Sequence, residues 1–150
     1  EKMDNVRFVM AGSGDMMNEM IRRVAELGIS DRFHFTGFLK GKEVFELLHL
    51  SDVYVMPSVS EPFGISPLEA MQSNVPVILS HQSGVSEILK HVVKVDFWDT
   101  EAMADAIHGI LTYPALSGML IKDGKNESDC LRWEDAAKNI YSIYKNIMAA

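Results

Sequence analysis

Apolar runs too short for helices alternate along the chain with longer stretches whose apolar residues recur at helical spacing. This alternation restricts the fold more than any other feature. Residues 6–11 form the first run, stopped by Gly12-Ser13-Gly14. Over residues 15–27, Met17, Met20, Ile21, Val24 and Leu27 mark one helical face, and Gly28 supplies the stop. Residues 32–36 alternate as a strand does, and Val44, Leu47 and Leu48 mark a second helix. Residues 52–56 and 75–79 read as two further strands, with a helix starting at Ser66-Pro67 between them. A helix near residues 85–89 and a short strand at 92–95 are expected next, then helices over residues 99–111 and 133–148, whereas residues 114–129 carry no clear period. Parallel strands need crossover connections, and these cover both faces of a sheet. The expectation is therefore α/β: a Rossmann-like, doubly wound, mostly parallel sheet with C-terminal helices, its ligand bound at the carboxyl ends of the strands.

At 150 residues, 47% of them apolar, the chain has room for one domain with a real core. A formal charge of −7 argues against a phosphate-backbone footprint, so no nucleic-acid partner is expected. The single cysteine, Cys130, has no partner at disulfide or metal spacing, which suits a reducing, cytoplasmic compartment. No apolar run approaches the ~20 residues of a bilayer-spanning helix, so no transmembrane segment is expected. Glu1-Lys2-Met3-Asp4-Asn5 lacks the order of a signal peptide. His34 and His49 read as half-buried packing residues, the ten methionines as core, Trp133 as a helix anchor, and Lys90, His91 and Lys94 as a solvated basic cluster.

The chemistry is concentrated in residues 57–71, Pro-Ser-Val-Ser-Glu-Pro-Phe-Gly-Ile-Ser-Pro-Leu-Glu-Ala-Met. Glu61 falls in the loop that follows a strand, and Glu69 in the first turn of the next helix. Gly64 permits close backbone approach, and Pro67 suits a helix start because its missing N–H has no helical partner there. Free N–H groups at such a start favour an anion such as a diphosphate, and carboxylates accept from sugar hydroxyls. A reading without ligand stands beside this one. Ser66-Pro67-Leu68-Glu69 matches a capping box, with Ser66 as the cap, and Glu61 could be a solvated loop carboxylate.

The stretch from Glu61 to Met71 resembles the Glu-x7-Glu signature of the group 1 glycosyltransferases, a retaining GT-B family that includes glycogen synthases and sucrose synthases. Gly12-x-Gly14, Phe35-x-Gly37, Ser51-Asp52 with Pro57-Ser58, Val75-Pro76-Val77-Ile78, Gly84 with Glu87, and Trp133-Glu134 follow that family's order, so the resemblance covers nearly the whole chain. It implies that Glu61 contacts hydroxyls of the donor sugar and is the catalytic acidic residue, and that Glu69 holds the ribose. It also implies that Phe63, Gly64, Ile65 and Ser66 line the sugar and diphosphate, and that Gly37, Phe38 and Leu39 meet the nucleobase. No metal and no cofactor is implied; the donor is a nucleotide sugar such as a UDP-, GDP- or ADP-hexose, with no protein nucleophile.

The resemblance further implies that residues 1–150 form a single C-terminal donor-binding domain excerpted from a longer chain, inactive alone, without the domain's first strand and without the N-terminal acceptor domain. The Arg and Lys that bind the diphosphate in the family belong to that missing part. Because the missing strand is central, these residues should either leave a gap in the sheet or force their outer strands together. An unfilled position could recruit a second copy of the chain. The implied activity is retaining transfer of a hexose to a glycan or lipid-linked acceptor, with any membrane contact made peripherally through the rest of the parent. A non-catalytic nucleotide-sugar-binding or regulatory domain of the same fold is the alternative. A dinucleotide-binding oxidoreductase is excluded, because Met17 stands where the fingerprint needs its third glycine. Asn74 replaces the Gly that usually precedes the Pro-Val strand, at a turn that Asn can also serve.

Overall fold

The computed structural model describes Met3 and residues 5–148. Glu1, Lys2 and Asp4, on which the reading of the N-terminus partly rests, lie outside the described residues. The chain divides into two units, Glu1–Val44 and Phe45–Ala150.

In the first unit, β1 (Phe8–Ala11) pairs in parallel with β2 (Phe33–Gly37), joined through α1 (Met17–Glu26). α1 ends as its sequence requires. Gly28 takes a positive φ of 67°, its N–H bonds the Ala25 carbonyl, and the Ile29 N–H reaches back to Val24, which together form a Schellman motif. Phe8, Phe33 and Phe35 form a run of stacked and tilted rings. Nevertheless Phe8, Val9 and Met10 are all exposed, so β1 is an apolar strand with little apolar cover.

The second unit holds the core. β3 (Tyr54–Met56), β4 (Val77–Ser80) and β5 (Val93–Val95) make a parallel sheet in that order, with β4 central and buried throughout. α2 (Lys42–His49) leads into β3, α3 (Ser66–Gln72) crosses from β3 to β4, and a single 3-10 turn (Gly84–Glu87) lies between β4 and β5. α4 (Thr100–Thr112) and α5 (Pro114–Cys130) follow the sheet, then α6 (Trp133–Met148). Ile78, Val95, Ile110 and Leu120 form a buried cluster against Val53, Val55, Val93, Met103, Ile107 and Leu116, where the sheet meets α4 and α5. Each such side chain contributes about 1.5–3 kcal/mol of burial. α3 packs on β3, β4 and α5, and a Cβ on Gly124 of α5 would lie 3.3 Å from the end of the Met71 side chain.

Among the described residues β1 pairs only with β2, and β3 only with β4. Some expectations are corrected. The helix near residues 85–89 is only the 3-10 turn, while residues 114–129 belong to one continuous helix, α5. Pro114 at its start replaces a side-chain cap, and Gly118 and Gly124 had blurred its apolar period. Only Met56 and Met71 are buried among the methionines. His34 and His49 are exposed; His49 is held by its Nδ1 against the Phe45 carbonyl at 2.6 Å. Trp133 is 84% exposed and anchors nothing, because every described residue of α6 faces solvent. Asn74 does what its position requires. It adopts φ 61°, and with the Val75 N–H bonded to Ala70 it closes α3 in a second Schellman motif.

Candidate functional site

The site is built where β3, β4 and β5 end. Beyond Met56 the chain loops back, and its backbone continues the parallel pairing at one point, Glu61 opposite Ser83. The Gly84 N–H donates to the Glu61 carbonyl at 2.8 Å. A Cβ on Gly84 would stand 1.9 Å from the Pro62 carbonyl oxygen, so only glycine admits this approach. Three serines tie the neighbouring turns together. Ser80 donates to the Ser58 carbonyl, Ser83 to Ser80 at 2.9 Å, and Ser86 to His81 at 2.8 Å. Gln82 clasps the end of β5, donating to Asp96 at 2.9 Å while accepting from the Phe97 N–H at 3.3 Å. No buried side-chain nitrogen or oxygen among the described residues lacks a partner. The loop that carries Glu61 is therefore fixed by backbone and hydroxyl bonds and not by charge.

Glu61 and Glu69 are both half-buried, and among the described residues neither carboxylate takes a hydrogen bond or an ion pair. Both bear electrostatically on Tyr54. Burial pushes this phenol above its usual value, the hydrogen bond with Ser66 opposes that, and repulsion from Glu69 and from Glu61 adds to the rise. Both negative charges therefore act on one hydroxyl at the start of β3.

The capping box is not formed. Ser66 is the first helical residue, Ile65 occupies the cap position, and no side chain caps α3. The Ser66 hydroxyl instead accepts from Tyr54 at 2.8 Å and faces the Met56 sulfur at 3.9 Å. Glu69 consequently has no capping duty, and its carboxylate is left open. The space over Gly64, at φ 78°, is taken by the chain itself: a Cβ there would lie 3.1 Å from the Glu61 side chain and 3.4 Å from Met56. Phe63 and Ile65 stand exposed on the same segment. α3 has only seven residues, so its dipole is a small contribution beside these open groups.

Six of the predicted residues, Glu61, Phe63, Gly64, Ile65, Ser66 and Glu69, thus lie on one segment at the strand ends of the second unit. Gly37, Phe38 and Leu39 belong to the first unit, in the turn that ends β2. Gly37 has φ 72° and its carbonyl accepts from Gly12 at 2.8 Å. Phe38 is exposed, with the Lys40 ammonium 5.7 Å from its ring centre. No group of three or more His, Cys, Asp or Glu side chains able to hold a metal occurs among the described residues. Among the described residues no helix is long and apolar enough to cross a membrane. Gly84 and Tyr54, which touch the segment that carries Glu61 and Ser66, were passed over by sequence reasoning. Only the order of landmarks around Gly84 pointed towards it, and nothing in the spacing marked Tyr54.

A parallel sheet that presents two open carboxylates beyond its strand tips defines a ligand-binding domain of the doubly wound class. The chain belongs to the group 1 glycosyl transferases, whose family model matches residues 1–127. It is 33% identical over 149 residues to an uncharacterised glycosyltransferase of Methanocaldococcus jannaschii, covering 96% of this chain and 38% of that protein. It is 28% identical to the 2-deoxystreptamine N-acetyl-D-glucosaminyltransferase of Niallia circulans, covering 80% of this chain and 32% of that protein. Among solved structures, sucrose-phosphate synthase from Thermosynechococcus elongatus superposes with a TM-score of 0.79 at 28% identity, over 94% of this chain and 38% of that one. HepE of Anabaena in complex with UDP-glucose gives 0.84 at 18% identity, over 96% of this chain and 42% of that one, a likeness of fold. The chain spans less than half the length of these relatives.

Proposed function

We propose that this chain is the donor-binding part of a retaining glycosyltransferase that moves a hexose from a nucleoside-diphosphate sugar to a glycan or lipid-linked acceptor. The observation that carries the reading is the pair of half-buried carboxylates, Glu61 and Glu69, on one segment beyond the strand ends, neither of which takes a hydrogen bond or an ion pair among the described residues. A carboxylate only accepts, and sugar hydroxyls supply donors for the lone pairs that these two leave open. Glu61 contacts the transferred sugar, Glu69 the ribose, and the backbone around Phe63 to Ser66 approaches the diphosphate. The turn of Gly37, Phe38 and Leu39 meets the base.

In the transfer, the bond from sugar C1 to the diphosphate breaks and the acceptor oxygen bonds C1 on the same face. The acceptor's proton passes to the departing diphosphate. Neither a metal nor a cofactor is needed, but cationic side chains must neutralise the leaving group. Residues 57–72 contain no Lys or Arg, so those cations come from elsewhere in a longer polypeptide. The unpaired edges of β1 and β3 support a further strand and an acceptor domain outside these residues. Without them the chain would be inactive.

The test is nucleotide release by the full-length protein from UDP-, GDP- and ADP-hexoses. Glu61→Gln should lower turnover roughly 100-fold or more while nucleotide binding persists. Equal turnover in Glu61→Gln would refute the role of Glu61. Binding of a nucleotide sugar by the wild type without any transfer would replace catalysis with a regulatory function.

A further inference from the structure

We propose that Tyr54 is a positioning residue of the donor site: its hydroxyl anchors Ser66 in the first turn of α3 and thereby sets where the Glu69 carboxylate is presented. The inference rests on the reading of Glu69 as a ligand for donor hydroxyls.

Tyr54 is the first residue of β3, and its backbone is fixed by the central strand. Its N–H donates to the Pro76 carbonyl at 2.9 Å, and it stands in register with fully buried Val77. The ring therefore starts from one of the most rigid points of the unit. Its hydroxyl spends its single proton on Ser66 at 2.8 Å, leaving none for a substrate. That distinguishes a positioning role from a catalytic one.

Ser66 and Glu69 are three residues apart and so share a face of α3. Repulsion from both carboxylates adds to the rise of the Tyr54 pKa, in keeping with that placement. Among the described residues the only other side-chain hydrogen bond of Ser66 is the weak one to the Met56 sulfur at 3.9 Å, so the phenol is its principal anchor. A phenol held above its usual value stays protonated through the ordinary assay range, and the anchor persists throughout that range.

The experiment uses the full-length protein with Tyr54→Phe, Ser66→Ala, both together, and Glu69→Gln. Binding of UDP, GDP and ADP, the donor KM, kcat and the melting temperature are measured for each. Phenylalanine fills the same space without the hydroxyl. Tyr54→Phe should raise the donor KM and the Kd of the best-held nucleotide by roughly three- to tenfold, with kcat at saturating donor unchanged. Ser66→Ala should raise the same KM and Kd at least as much, and the double variant should be no weaker than Ser66→Ala alone, since both remove one bond. Melting should stay within about 2 °C of wild type.

Unchanged donor affinity in Tyr54→Phe, additive losses in the double variant, or a loss that merely follows a large drop in melting would each overturn the proposal. If Glu69→Gln is impaired while Tyr54→Phe is normal, only the anchor is refuted. If Glu69→Gln binds as wild type does, the donor-site reading itself fails.

Discussion

Replacing Gly84 by alanine tests how the Glu61 loop is held. The backbone of Gly84 lies outside the positive-φ range that penalises L-residues, so the loss must come from space alone. The added Cβ would sit 1.9 Å from the Pro62 carbonyl oxygen and 2.8 Å from its carbon, all backbone atoms that no rotamer change can move. A comfortable carbon-to-oxygen contact is about 3.3 Å, so the loop must retreat by roughly 1.4 Å. That retreat breaks the 2.8 Å bond from Gly84 to the Glu61 carbonyl and the bridge between Glu61 and Ser83. The broken bond is worth about 1 kcal/mol, and overpacking strain adds about 1–3 kcal/mol. For a reacting group, a shift of about 1 Å can cost on the order of 100-fold in rate. Gly84→Ala should therefore lower kcat/KM for the donor by about that factor while lowering the melting temperature by several degrees, measured by steady-state kinetics and calorimetry on the full-length protein. Donor kinetics within about twofold of wild type would show that the loop does not need this seat.

Two further outcomes concern stability. Glu127 accepts from the Lys90 and His91 N–H groups at 2.9 Å and from the His91 ring at 3.1 Å, tying α5 to the segment before β5. Burial raises its pKa, but those bonds and the His91 charge outweigh burial and hold it below the ordinary value. A carboxylate with a lowered folded pKa stabilises above its unfolded pKa and loses that contribution as pH falls through the folded one. Wild type should thus lose stability below about pH 4.5, and Glu127→Gln, which costs about 1.5–3 kcal/mol at neutral pH, should flatten that acid limb in urea titrations. Asn74→Ala should cost about 1 kcal/mol by chemical denaturation, because alanine tolerates φ 61° poorly, while Asn74→Gly should be close to neutral.

Local pattern made most of the fold legible. Strands β2 to β5 and helices α1 to α4 lie within a few residues of their periodic segments, since each has a face to bury and its period reports that face. Burial itself was less readable. β1 and α6 carry the same apolar signals as the core elements, yet both are exposed among the described residues, because a stripe names a face and not the partner that covers it. The site divides in a similar way. The acidic pair and its glycine were visible from order alone. The capping box was a sound local match that failed for a distant reason, since Tyr54, twelve residues upstream, takes the hydroxyl that would have capped the helix. Gly84 was hidden likewise. Its importance comes from a carbonyl twenty-two positions away in sequence, and no window of neighbouring residues contains that information.

The exposure of α6 carries a dynamic consequence. Among the described residues α6 has no tertiary support, and a sixteen-residue helix left so in water is marginal, whatever its apolar stripe, since nucleation must be repaid by its own backbone bonds and a few side-chain pairs such as Lys138 with Asp135. Its amides should exchange with solvent almost as fast as those of a peptide. Those of β4 must wait for the whole unit to open, so one chain spans nearly the full range of local opening free energies.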